Sequence, residues 1–188
     1  MKRKNKVYVS LIHWPVLDRA GTVVVTNVTN FDIHDIARAS RSYGVEKYYI
    51  VNRLKEQLSF VARVLEHWRV GDGAKYNPKR KSALTMVELK ETLEDCLKDF
   101  EKRPLVVATS AKSHPTAKPI KFPELRQLIW EGDRDVFLVF GTGFGLHPDI
   151  YNMCDYLLEP MKGDSADDYR HLSVRSAVSI CLDRLLST

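Results

Sequence analysis

Four short apolar runs constrain the fold of this chain more than any other feature. They are VVV at 23–25, YYIV at 48–51, LVVA at 105–108 and VFLVF at 136–140. A strand with one wet face alternates apolar and polar residues. A continuous apolar strand is buried on both faces, as in a parallel sheet covered by helices. Strands are expected at Val7–Ile12, Thr22–Thr26, Lys47–Val51, Ala83–Val87, Leu105–Thr109, Val136–Phe140 and Asp155–Leu158. Between them, apolar residues recur at helical spacing. One set is Leu54, Leu58, Val61, Ala62, Leu65 and Trp68, a second is Leu89, Leu93, Cys96, Leu97 and Phe100, and a third is Val174, Ala177, Val178, Cys181 and Leu185. This alternation predicts an α/β fold, a mostly parallel sheet of about six or seven strands flanked by helices.

The length, 188 residues, fits one domain over 1–188 with a substantial core. No apolar run approaches the ~20 residues that span a membrane. The leader MKRKNK is basic, but VYVSLI after it is too short for a secretory signal, so it reads as a first strand. Cys96, Cys154 and Cys181 lie far apart without Cys-x-x-Cys spacing. That pattern argues against a disulfide scaffold or a zinc site and points to a cytoplasmic protein that needs no metal. The formal charge of +5 suits an anionic partner such as RNA, and equally suits an ordinary basic enzyme.

The sharpest local signal is Gly141-Thr142-Gly143-Phe144-Gly145, which follows an apolar strand directly. Glycines so spaced permit positive φ and close approach of backbone to a ligand; the plain alternative is a tight turn. A nicotinamide fingerprint needs G-x-G-x-x-G in the first βα turn, and a P-loop needs Gly-Lys-Ser/Thr, and neither is present. The next strand ends in Leu158-Glu159-Pro160-Met161-Lys162-Gly163, and a helix opens near His171-Leu172-Ser173-Val174. Taken alone this is a common connector. Two such turns after successive strands at one sheet edge can line one pocket.

These segments resemble the SPOUT-class RNA methyltransferases. The ribose-methylating branch has Gly-Ser-Glu-Gly-x-Gly-Leu where this chain has Gly141–Leu146. It has Ile-Pro-Met-x-Gly, a spacer and Ser-Leu-Asn-Val-Ser-Val-Ala where this chain has Glu159–Gly163 and His171–Ala177. Its first motif, Asn-Pro-x-Asn with a later Ile-x-Arg, falls on Thr29–Arg38. The resemblance implies a C-terminal trefoil knot and S-adenosylmethionine held largely by backbone of three loops. Those loops carry Thr109 and Ser110; Gly141, Thr142, Gly143 and Gly145; and Leu158, Glu159, Pro160, Met161, Gly163, Leu172, Ser173 and Val174. It further implies methyl transfer to RNA, most readily tRNA and the ribose 2′-oxygen rather than a base, by a homodimer paired through its last and first helices. Arg38 would grip RNA phosphate or activate the acceptor, with Asp32 or Ser173 assisting. The chain departs from the pattern: Asp32 and Ser173 replace two asparagines, and the glycine loop lacks its glutamate. It is closer to a branch known both alone and fused to the tRNA guanine-N1 methyltransferase. The missing residues leave open a non-catalytic RNA-binding domain of the same fold.

Arg38 and Arg41 lie one turn apart on the expected first helix. Lys75, Tyr76, Lys79, Arg80 and Lys81 fall in a polar stretch, Arg69–Ser82, expected to be a long loop. Cations around an aromatic suit RNA phosphates and a stacked base, and would equally suit a solvated loop. His13 and Trp14 precede Pro15 and carry no assigned role. The last helix has a wide apolar stripe whose surplus, Ile180 and Leu182, is expected to meet a second subunit.

Overall fold

The computed structural model describes residues 3–112, 114–115 and 117–188. Its main sheet has seven strands in the order β5-β4-β1-β8-β6-β9-β7. They are β1 (Val7–Ile12), β4 (Lys47–Val51), β5 (Val87–Lys90), β6 (Leu105–Ala108), β7 (Pro119–Ile120), β8 (Val136–Gly141) and β9 (Tyr156–Leu158). Every neighbouring pair is parallel. The strands β2 (Val16–Leu17) and β3 (Val23–Val24) form a separate antiparallel pair.

Both faces of the sheet are covered, which is why its strands show no alternation. Val7, Val9 and Leu11 pack with α1 (Asn30–Ser42), α2 (Lys55–Arg69), α4 (Pro78–Leu84), α6 (Phe122–Glu131) and α8 (Val174–Leu186). Tyr8 and Ile12 point the other way, into a cluster with α5 (Leu93–Leu97) and α7 (Pro148–Asn152). Helix α8 is anchored at its end by α6. Arg126 donates to the carbonyls of Leu185 and Ser187 at 2.8 and 2.7 Å, and the Trp130 indole donates to Leu185 at 3.0 Å.

Several expectations need correction. The strand expected at Thr22–Thr26 shrinks to β3, two residues outside the main sheet. The strand expected at Ala83–Val87 instead begins at Val87, because Ala83 and Leu84 close α4. The helix expected from Leu89 to Phe100 is only α5, since Leu89 is in β5 and Thr92 caps the helix by accepting from the Asp95 N–H. The basic stretch 69–82 is not an open loop. It holds α3 (Asp72–Tyr76) and α4, started by Asn77 as N-cap and Pro78 in the first turn. Leu182 is fully buried within its own chain, so it is not surplus surface.

The strand order has one further consequence. Ala108 and Pro119 flank Leu157 at the same level on either side of β9. The connection from β6 to β7 therefore starts and ends beside β9 at the height where β9 itself leaves the sheet.

Candidate functional site

β8, β6 and β9 are consecutive neighbours, so the segments that leave their carboxyl ends share one rim. This joins three loops that lie in separate parts of the sequence, at 109–110, 141–146 and 158–174.

After β8, the Thr142 N–H and hydroxyl both donate to the Ile12 carbonyl, at 3.2 and 3.0 Å. The loop then leans on the β2–β3 pair. The Phe144 N–H donates to the Leu17 carbonyl and the Leu17 N–H to the Gly145 carbonyl, each at 2.9 Å. Gly143 has φ +61°, and a β-carbon there would sit 2.8 Å from the Leu17 carbonyl oxygen. Packing alone therefore demands this glycine. Gly145 has φ +124° with open space where its side chain would be, and Gly163 faces open space without positive φ. At both, the backbone can be approached closely by a ligand.

After β6, the Thr109 N–H and hydroxyl both donate to Val139, at 2.9 and 3.1 Å, tying β6 to β8. Ser110 accepts from the Lys112 N–H at 3.0 Å and bonds Tyr151 of α7. After β9, the Glu159 carboxylate accepts from the Phe122 N–H at 2.7 Å, capping α6. Pro160 and Met161 are half-buried, and Met161 packs on the core. Ser173 is the N-cap of α8, accepting from Ser176 N–H at 3.2 Å; Leu172 beside it is 45% exposed, and Val174 opens the helix.

Asp32 is tied to the start of α8, which Ser173 caps, through Arg175, a residue that sequence reasoning passed over. Asp32 is buried in the first turn of α1, where Thr29 donates to its Oδ2 from both hydroxyl and N–H, at 2.6 and 3.1 Å. Its other oxygen accepts from Arg175 of α8 at 3.2 Å. Arg175 stood within the third motif, and its only signal was a cation one turn into a helix that must pack near acidic α1. Arg38 is not part of this cluster. It lies six residues further along α1, about 9 Å at the helical rise, exposed and only 4.0 Å from Asp35.

Arg38 has other company. Arg80 stacks over Trp68 at 4.8 Å, and Trp68 meets His34 edge-on at 5.5 Å. Burial lowers the His34 pKa, and the positive charges of Arg80 and Arg38 lower it further against Asp35. The two cationic groups read from separate stretches thus bear on one histidine. Arg41, Lys75, Lys79, Lys81 and Tyr76 are exposed, while Arg80 is half-buried. Among the described residues, no cluster of His, Cys, Asp or Glu could hold a metal, and no helix is long and apolar enough to cross a membrane.

A parallel sheet of this order with three loops on one rim is the fold of SPOUT-class methyltransferases. A TrmH/SpoU tRNA-modifying enzyme of A. aeolicus superposes with a TM-score of 0.56 at 21% identity, over 98% of this chain and 76% of that one. Residues 6–187 match the family described as SAM-dependent RNA methyltransferase, and the chain belongs to it. An uncharacterized protein of Aquifex aeolicus is 44% identical over 97% of this chain and 89% of its own length. A tRNA (guanine-N(1)-)-methyltransferase of Oleidesulfovibrio alaskensis is 39% identical over 97% of this chain, which spans only 42% of that protein. The family makes the chain an RNA methyltransferase with S-adenosylmethionine as its cofactor, rather than a non-catalytic RNA-binding domain. The open backbone at Gly145 and Gly163 would let a nucleoside cofactor of this kind approach the main chain.

Proposed function

We propose that the chain methylates tRNA at a ribose 2′-oxygen, with S-adenosylmethionine held between Thr109–Ser110, Gly141–Leu146 and Leu158–Val174. The sharing of one rim by these segments carries the reading. The cofactor supplies an already activated methyl group, so the protein has to align the acceptor and favour loss of one proton. Arg38, always charged, exposed and tied only loosely to Asp35 at 4.0 Å, holds the acceptor strand and stabilises the developing alkoxide. The preference for ribose rests on the likeness of Gly141–Leu146 and His171–Ala177 to the motifs of the ribose-methylating branch. Asp32 then acts through Arg175, and Ser173 through the start of α8.

RNA lies along α1, α3 and α4, where Arg38, Arg41, Lys75, Lys79 and Lys81 face solvent and Tyr76, 86% exposed, offers a stacking surface. Ala108 and Pro119, which bound the connection from β6 to β7, both pair with Leu157 of β9, and we take the chain leaving β9 to pass through that connection as a trefoil knot. The functional unit is a dimer through the starts of α1 and α8. Phe31, at the start of α1, is 68% exposed under the Arg175 guanidinium, and Leu172, just before α8, is 45% exposed.

The test is transfer of isotope-labelled methyl from S-adenosylmethionine to tRNA, followed by nucleoside mass spectrometry. The expected product is a 2′-O-methyl nucleoside, and Arg38→Ala should lower the rate about a hundredfold while cofactor affinity stays at the parent value. A base-methylated product contradicts the ribose assignment, and parent-rate transfer by the variant contradicts the role of Arg38.

A further inference from the structure

His13, left without a role by the sequence, is the first residue beyond β1 and is 1% exposed. Its Nδ1 lies 3.0 Å from the Thr26 hydroxyl oxygen, which lies 2.5 Å from the Thr142 hydroxyl oxygen. The Thr142 hydroxyl donates to the Ile12 carbonyl at 3.0 Å. The backbone around this chain is pinned on every side. The His13 N–H donates to Val51 and the Thr26 N–H to His13, both at 2.9 Å. Buried Asn52 donates from its amide to the Thr26 carbonyl at 3.1 Å and accepts from the Leu54 N–H at 2.9 Å. The ends of β4, β1 and β8, three neighbours in the sheet, are thereby joined.

The hydrogens of this chain have a preferred direction. With the Thr142 hydroxyl donating to Ile12, its oxygen is left to accept from Thr26, a shorter contact than the 3.4 Å from the Thr26 hydroxyl to the His13 carbonyl. In that arrangement the Thr26 oxygen accepts from His13, which then carries its proton on Nδ1. His13 Nε2 is buried and has no hydrogen-bond partner among the described residues. In this tautomer it buries a lone pair. The opposite tautomer would bury an unpaired N–H, the rarer and costlier defect. Burial keeps the ring neutral, with its pKa pushed down to about 4.

We propose that His13 and Thr26 are positioning residues for S-adenosylmethionine, fixing the Gly141–Gly145 loop through a one-way hydrogen-bond chain that ends on Thr142. The inference rests on the cofactor site assigned above. It adds residues that never touch the ligand. Because the Thr142 hydroxyl is consumed, Thr142 meets the cofactor through backbone alone, and the loop is set before the ligand arrives. Such preorganisation lowers the cost of binding, so its loss appears in cofactor affinity before it appears in turnover.

Two measurements test this. The first is the nitrogen-15 NMR spectrum of the His13 imidazole in the ligand-free protein at neutral pH. It should show the Nδ1–H tautomer, and an Nε2–H tautomer overturns the chain's direction and the proposal with it. The second is titration calorimetry with S-adenosylmethionine on Thr26→Val and Thr26→Ser. Valine removes the hydroxyl at constant shape and leaves donor and acceptor unpaired. Its dissociation constant should rise by about tenfold or more with saturated kcat within about threefold of the parent, while the serine variant keeps parent affinity. Parent affinity in a folded Thr26→Val overturns the proposal, and so does equal loss in both variants. Should Thr26→Val not fold, the NMR result on the parent protein decides. If Gly163→Val also binds like the parent, the cofactor site itself is misassigned; if Gly163→Val loses binding and Thr26→Val does not, only the present inference fails.

Discussion

Arg175, in the first turn of α8, donates to the Asp32 carboxylate, in the first turn of α1, at 3.2 Å. One ion pair therefore joins the helix that carries Arg38 to the helix that closes the cofactor segment. The Asp32 side chain is 6% exposed and that of Arg175 is 35% exposed. A second contact, 3.6 Å to Asp35, adds a weaker tie.

Removing the cation leaves a buried carboxylate whose one remaining partner among the described residues is Thr29. Arg175→Ala should cost about 1–3 kcal/mol of stability, less than a fully buried pair because solvent reaches the guanidinium. Urea denaturation checks this, and an unchanged midpoint would show the pair to be screened. Arg38→Ala, by contrast, should shift stability by no more than about 0.5 kcal/mol, as its side chain is exposed.

His13 makes the protein sensitive to acid. Burial lowers its pKa from the ordinary 6.5 to about 4, with nearby Asp32 opposing the shift only partly. The unfolded chain takes up this proton below about 6.5, the folded chain only below about 4. Stability from this residue is thus fully present above pH 6.5 and is lost as pH falls from 6.5 towards 4, roughly 3 kcal/mol in all. Urea midpoints at pH 7.5 and 4.5 should differ less in His13→Asn, which keeps a donor near Nδ1 and cannot titrate. Equal pH dependence in parent and variant would place the acid sensitivity elsewhere.

Three of the four continuous apolar runs are central strands, β4, β6 and β8, legible because burial on both faces leaves no alternation, whereas the run at 23–25 lies outside the main sheet. The three rim segments were legible from their resemblance to family motifs rather than from strand burial. What escaped was short or masked by charge. β7 is two residues, too few for any period. α6 was readable from Phe122, Leu125 and Ile129 with Pro123 and Glu124 in its first turn, yet it sits between a polar stretch and a strand and was missed. α3 and α4 hid because lysines dominate their exposed faces while only Gly73, Ala83 and Leu84 are buried. The Asp32–Arg175 pair joins residues 143 positions apart, which no local pattern reveals.

Because α3 and α4 are folded, the basic residues divide into two kinds. Lys75, Lys79 and Lys81 are exposed, whereas Arg80 is half-buried and stacks over Trp68, supporting α4 against α2. Changing the three lysines to glutamine should leave melting unaltered and weaken tRNA binding. The slope of log K against log salt should fall by up to about 0.7 per lost contact on single-stranded RNA. Arg80→Gln should instead lower stability. Parent salt dependence in the triple variant would remove this face from the RNA path.

The central claim is that backbone at the rim of β8, β6 and β9 holds S-adenosylmethionine. Gly143 cannot test it, since a side chain there strikes Leu17 with or without ligand. Gly163 can, because it faces open space and lacks positive φ. The deciding measurement is titration calorimetry of Gly163→Val with S-adenosylmethionine, beside circular dichroism to verify folding. The account expects a parent-like fold and affinity reduced by about tenfold or more, as added side-chain bulk keeps the ligand from the backbone. A folded Gly163→Val variant that binds as tightly as the parent would contradict it.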